Sequence, residues 1–404
     1  MGAGVRRRVA VTGLGVVAPI ATDVDAFRRA LRDGVSGAGL ITAFDAGALP
    51  TRIAAEVKWR GPIARDRKVT FALEAARQAL SISRPAGRGG LSLGIGLELF
   101  SLDDMAARRR PGFVPPSAQA ERLLFLQTPS DLCAHLISHQ QALETPPVTH
   151  VSACAAGADA IGHAFRLVAS GRRDFMLAGG ADSMINPLGV AGFCLLGATT
   201  TRNDEPARAS RPFDRRRDGF LLGEGAAFVV LEPLETARHR GAHVHAEIVG
   251  YGQSFDAHGI SEPHPEGRGA WQAMKAALDE AGVGPDAIDA VNAHGTSTPK
   301  NDPVETLALK RLLGDRAREV PVYAAKSMIG HLISAAGAVE AVAAIVGMED
   351  GFVPPTLNLH EPDPACDLDY VPHRARSHPQ RYVLSNSFAF GGQNAALLFK
   401  GADA

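Results

Sequence analysis

From His331 to Gly351 the chain reads HLISAAGAVEAVAAIVGMEDG, a helix-forming run that is apolar on almost every side. A helix without a polar face has to be surrounded by protein. A second stretch, HVSACAAGADAIGHAF from His150 to Phe165, is made largely of Ala and Gly. Two buried helices of this kind, one in each half, are what a duplicated unit sharing a central helical layer requires. Around them, strand-like runs such as RRVAVTGLG, DFMLAGGADSM and AAFVVLEPL alternate with helical runs such as FALEAARQAL, AWQAMKAALDEAG and DPVETLALKRLLG. That alternation predicts an α/β protein. The charged stretch ETARHRGAHVHAEIVGYG reads as a helix end followed by a new strand, and places the division between halves at 1–243 and 244–404.

The second stretch sets Cys154 at the start of its helix, where free N–H groups and a partial positive charge favour a thiolate. A small buried apolar cysteine and a nucleophile both fit this stretch alone. With 404 residues and 46% hydrophobic content, the chain can bury a large core. Its formal charge of −1 provides no global basic field, which argues against nucleic acid as a partner. Cys133, Cys154, Cys194 and Cys366 form no C-x-x-C pair, so neither a zinc site nor a disulfide framework is expected, and a reducing cytoplasm is. No stretch is long and apolar enough to predict a membrane span.

Near the N-terminus, Gly13, Gly15 and Ala18 imitate a dinucleotide-binding loop, but Pro19 and the delayed helix break that motif. The expected local structure is a strand from Val9 to Thr12, a glycine turn, and a helix capped near Thr22 or Asp23.

Three further segments set polar groups among small residues: VNAHGTSTPKNDPVE, YAAKSMIGHLISAAG and SNSFAFGGQNAALLF. His294 ends a predicted strand and precedes a loop of hydroxyl residues, a position open to a structural or a catalytic role. Lys326 follows another strand, with His331 five residues on. A buried lysine needs a partner, and Glu305 is the candidate counterion. A cysteine at a helix start, two histidines and a lysine suit acyl transfer to sulfur, followed by chemistry on a second acyl group.

With these residues in view, the chain resembles the β-ketoacyl-acyl carrier protein synthases, the type II condensing enzymes of the thiolase superfamily. The resemblance rests on VSACAAG, RPFDRRRDGFLLGEGAA, NAHGTSTPKND, KSMIGHLISAAGAVE, PPTLNLHEPDPACDLDYVP and NSFAFGGQNAALLFK, in the family's order and spacing. It implies two duplicated halves in a five-layered α-β-α-β-α sandwich, and decarboxylative condensation of an acyl chain with malonyl-carrier protein. Cys154 resembles the acyl-accepting nucleophile, His294 and His331 the pair serving malonyl decarboxylation, and Lys326 the lysine that organises them with Glu305. The backbone N–H groups of Cys154 and Phe390 match the oxyanion hole. Phe388 and Phe390 match the gating loop, Thr296 and Thr298 the pantetheine-binding hydroxyls, and Phe193 a wall of the acyl pocket. Arg67 and Lys68 resemble a basic carrier-protein docking patch; by charge pattern alone they also read as a solvated helix face.

The resemblance further implies no cofactor beyond the carrier's phosphopantetheine, and no metal. It implies acyl- and malonyl-carrier proteins as partners, and a homodimer or a heterodimer with a chain-length factor. The alternative within the fold is a chain-length-setting or scaffolding subunit with little turnover, a role that usually lacks the active cysteine. A degradative thiolase would need a second catalytic cysteine near the C-terminus, and SNSFAFGGQN has none. The chain departs from the family between Glu98 and Gln141, at Ala389 where Gly is usual, and at Gln393 where Thr is common. The divergent segment is expected to set which chain is accepted. Within it, His135 and His139 share a helix face, but no third ligand is identifiable, so packing or pocket polarity is favoured over a metal.

Overall fold

The computed structural model describes residues 6–96, 112 and 132–402. Ten strands form one sheet: β1 (Val9–Val17), β2 (Gly89–Ile95), β3 (Val148–His150), β4 (Phe175–Ser183), β5 (Glu224–Pro233), β6 (Ala246–Phe255), β7 (Ala290–Asn292), β8 (Val322–Tyr323), β9 (Tyr382–Phe388) and β10 (Gln393–Gly401). Their spatial order is β8-β7-β9-β10-β6-β1-β5-β4-β2-β3. Counted outward from the central β6–β1 contact, each half has its strands in the order first, fifth, fourth, second, third. In both halves the first two pairings are antiparallel and the last two parallel. The duplication too faint to count as a repeat in the sequence is therefore plain in the topology.

The main helices are α1 (Val24–Asp33), α2 (Arg67–Ser83), α3 (Leu132–Gln140), α4 (Ala156–Ala169), α5 (Pro187–Leu195), α6 (Arg268–Ala281), α7 (Asn301–Leu313) and α8 (Ala336–Asp350). Strand alternation distributes them into layers. On β5, Ala227, Val229 and Leu231 join the central core with α4 and α8, while Ala226, Phe228 and Val230 join the outer core under α2. On β10, Ala395, Leu397 and Phe399 face the centre, and Ala396 and Leu398 face α6. The result is the five-layered thiolase-like arrangement, with α4 and α8 in the middle. They cross with almost no side chain between them: a Cβ on Gly157 would lie 2.9 Å from the Ala338 nitrogen, and one on Gly337 2.9 Å from that of Ala158. This close approach is why both helices are Ala/Gly-rich.

The expected glycine turn after Thr12 is absent, because β1 continues to Val17. Gly13 and Gly15 are strand residues over which α2 lies directly; a Cβ on them would come within 2.2 Å of Ala79 O and 1.9 Å of Ala75 O. Asp23 does cap α1, accepting the Ala26 N–H. Most of the divergent 98–141 segment lies outside the described residues. Its last part forms α3, with Cys133 buried and His135 and His139 exposed. No described helix is long and apolar enough to cross a membrane.

Candidate active site

The two central helices begin in the same way. Each is preceded by a single 3₁₀ turn, Ala153–Ala155 and Ile333–Ala335, entered through a non-glycine residue in the left-handed region, Ala153 at φ 46° and Ile333 at φ 45°. Such strain persists only where surrounding structure imposes it. The first turn carries Cys154, and His331 precedes the second. Their turns bring Cys154 Sγ and His331 Nε2 to 3.1 Å.

His331 Nδ1 accepts the Ile333 N–H at 3.2 Å. Its proton therefore resides on Nε2, pointing at the sulfur. His294, in the loop after β7, has its ring centroid 5.4 Å from that of His331, with the planes 84° apart. Its Nδ1 lies 3.3 Å from Lys326 Nζ. Accepting from the ammonium leaves His294 with its proton on Nε2 as well. Burial and the Lys326 charge push both histidines well below the usual imidazole range, with His331 itself a further opposing influence on His294. The site thus holds two neutral imidazoles as donors.

Lys326 is buried and pairs with Glu340 Oε1 at 2.6 Å, not with Glu305. Glu305 accepts the backbone N–H groups of His294 and Gly295, both at 2.8 Å, and the Asn386 amide at 3.2 Å. It shapes the histidine loop and leaves the lysine to another acid. Glu340 was not singled out from the sequence, although one signal marked it: it is the sole charged residue between His331 and Met348 in an otherwise apolar run. Burial pushes its carboxyl up to about 7 against the attraction of Lys326. Glu340→Ala would leave an ammonium buried without its carboxylate, so the variant should lose about 3–5 kcal/mol of stability, measured by chemical denaturation.

The expectation that a helix start alone would maintain a thiolate is not met. Burial pushes the Cys154 thiol up to about 11, against the hydrogen bonds its sulfur accepts from the backbone N–H groups of Phe390 and Cys154 and against the Lys326 charge. The resting sulfur is a thiol in a site rich in donors. Its alkylation by iodoacetamide should accordingly rise about tenfold per pH unit from pH 7 to 9, following the thiolate fraction, and a plateau in that range would contradict a protonated resting state.

Cys154, His294 and His331 open into a cavity lined also by Thr296, Thr298, Lys300, Phe388 and Phe390. The Thr296 and Thr298 hydroxyls are 2.9 Å apart. Arg217, from the RPFDRRRDGF segment, binds the carbonyl of Thr298 at 2.8 Å and fixes that wall. Phe388 ends β9 beside His294, and Phe390 sits in the β9–β10 turn. Ala389 takes no left-handed conformation, so it stands there without strain. Phe193 does not line the described cavity; it packs edge-on against Phe220, which in turn packs against His331.

Arg67 and Lys68, the expected docking pair, are both engaged within the chain. Lys68 is 2% exposed and pairs with Asp66, the α2 cap, while Arg67 is drawn onto buried Glu224 and the Val57 carbonyl. Lys68 is thereby withdrawn from the surface, whereas Arg67 stays 26% exposed.

Residues 6–237 match the family model described as beta-ketoacyl synthase, N-terminal domain, and residues 245–360 the corresponding C-terminal domain. The chain is 42% identical to the 3-oxoacyl-[acyl-carrier-protein] synthase 2 of Coxiella burnetii, over 97% of this chain and 98% of that one. It is 40% identical to the tetracenomycin polyketide synthase ketoacyl synthase alpha subunit of Streptomyces glaucescens, over 97% of each. Among solved structures, a beta-ketoacyl synthase from Burkholderia phymatum superposes with a TM-score of 0.88 at 37% identity, covering 98% of this chain and 100% of that one. A type II polyketide ketosynthase bound to its acyl-carrier protein gives 0.87 at 30% identity, with the same coverage.

Proposed function

This chain belongs to the β-ketoacyl synthase family, and from that premise we propose that it condenses an acyl group held on Cys154 with malonyl-acyl carrier protein. The observation that carries the reading is the convergence on one cavity of a sulfur, two backbone N–H donors and two neutral Nε2–H donors.

In the first half-reaction the Cys154 sulfur, giving up its proton, attacks the carrier-bound thioester carbonyl. The developing oxyanion is met by the N–H groups of Cys154 and Phe390, and the pantetheine thiol leaves. In the second, the bond from the malonyl methylene to its carboxylate breaks and carbon dioxide departs. The electron pair forms an enolate whose oxygen receives hydrogen bonds from His294 Nε2–H and His331 Nε2–H. The enolate carbon then attacks the acyl-sulfur carbonyl, the C–S bond breaks with its electron pair on sulfur, and the Cys154 thiolate takes up a proton from solvent water. Neutral donors suit this step because they stabilise the enolate without giving it a proton. Thr296 and Thr298 lie where the pantetheine amides would pass, and the carrier protein itself would dock at the cavity mouth.

The solved ketosynthase/chain-length factor of ishigamide, at a TM-score of 0.87 and 34% identity over 98% of this chain and 99% of that one, makes a heterodimer a second possible assembly beside the homodimer. A purely chain-length-setting role is disfavoured by the complete array at Cys154. The four described cysteines are all free, in keeping with a cytoplasmic setting. Incubation with acyl- and malonyl-carrier protein should yield a 3-oxoacyl-carrier protein two carbons longer, with release of carbon dioxide, read by mass spectrometry. Absence of product with acyl chains across the range of lengths would refute the reading.

A further inference from the structure

At the far end of α8, three more metal-type ligands converge. Glu349 lies nine residues past Glu340, about 13 Å along the helix. Leading into β6, His243 and His245 are two residues apart, a spacing that puts both imidazoles on one side of an extended segment. They point at the same carboxylate oxygen: His243 Nε2 is 3.0 Å and His245 Nδ1 2.7 Å from Glu349 Oε1. Their rings stand at 86°, with centroids 4.5 Å apart. The other oxygen, Oε2, accepts from Arg28 Nη2 at 2.7 Å, and Arg28 is itself paired with Asp350.

We propose that His243, His245 and Glu349 form a binding site for one divalent transition-metal ion of the zinc type, with its remaining positions open to water. A tetrahedral ion at roughly 2.0–2.2 Å from each donor spaces its ligands at roughly 3.3–3.6 Å. The two imidazole–carboxylate contacts, 3.0 and 2.7 Å, are hydrogen bonds shorter than that, so the same three groups would move apart by roughly 0.3–0.9 Å to admit an ion. Two imidazoles and one carboxylate suit zinc, cobalt, nickel or copper, whereas calcium and magnesium require a shell of oxygens. Arg28 sets the carboxylate plane so that Oε1 faces the imidazoles, the orienting role an outer partner plays in metal sites. Asp350 balances its charge. His243 is 69% exposed and gives the ion a path in, while His245 and Glu349 are 10% and 14% exposed and held by their surroundings. A bound ion would tie the entry of β6 to the end of α8, and through Arg28 to α1.

Cys154, His294 and His331 also bring three metal-type ligands together, so the test has to separate the two places. Chelator-treated Cys154→Ala protein, lacking the active-site thiol, is titrated with zinc chloride by isothermal calorimetry. One zinc ion per chain is expected. His243→Ala and Glu349→Gln, each made in that background, should weaken binding by about tenfold or more. The exposed His243 position should leave the metal-free melting temperature unchanged, so lost binding there reports a lost ligand. Zinc should raise the melting temperature of the Cys154→Ala protein and not that of its His243→Ala derivative. No saturable zinc binding in Cys154→Ala protein, or undiminished affinity in the His243→Ala and Glu349→Gln proteins, would overturn the proposal.

Discussion

Cys154→Ala is expected to carry no acyl group after incubation with acyl-carrier protein, and to lose condensation by on the order of 10⁴-fold or more, as enzymes do when the nucleophile is removed. No other thiol lines the described cavity, and the nearby Thr296 and Thr298 hydroxyls bond to each other. The substitution leaves the donors untouched: the Phe390 and Cys154 N–H groups and both Nε2–H groups remain in place. Malonyl-carrier protein should therefore still lose carbon dioxide, uncoupled from chain extension. Intact-protein mass spectrometry and carbon dioxide release read the two halves separately. A covalent acyl-enzyme in the Ala variant would remove Cys154 from its role.

The histidines should fail in the opposite order. His294→Ala deletes one enolate donor without touching the sulfur, so malonyl decarboxylation is expected to fall by about 10²–10³-fold while Cys154 still accepts an acyl group. His331→Ala should lose decarboxylation to a similar extent and also slow acylation, because its Nε2–H lies 3.1 Å from Sγ. Both imidazoles are neutral well below the usual range, so parent decarboxylation should show no loss from histidine protonation between pH 6 and 8. A rate that falls steeply as pH drops from 7 to 6 would mean that one histidine titrates there. Normal decarboxylation in both Ala variants would defeat the assignment.

Much of this site was legible because its residues occupy short, polar interruptions of apolar segments. Cys154, His294, Lys326 and His331 each stand at the end of a strand or the start of a buried helix, where local sequence reports position. What the sequence did not reveal was pairing at a distance. Glu305 lies close to His294 in the chain and was assigned to Lys326, but it bonds to backbone, while Glu340 reaches the lysine from within α8. Arg67 and Lys68 sit on a helix whose charge pattern says nothing of Glu224, 157 residues away. Gly13 and Gly15 suggested a turn because the helix that needs their missing side chains is α2, many residues downstream. In each case a three-dimensional requirement leaves no trace in the neighbouring residues.

The paired left-handed entries at Ala153 and Ile333 carry one more consequence. Superimposing the halves on those turns places Ser334 where the first half has Cys154, each followed by Ala-Ala-Gly-Ala. Ser334 is fully buried: its N–H bonds to Asp182, and its carbonyl lies 2.6 Å from where a Cβ on Gly180 would be. The two copies of one bend thus have separate careers, one exhibiting a side chain to incoming molecules and the other closed into the middle layer against Asp182 and Gly180. Reactivity here belongs to the vestibule above the bend and not to the bend itself.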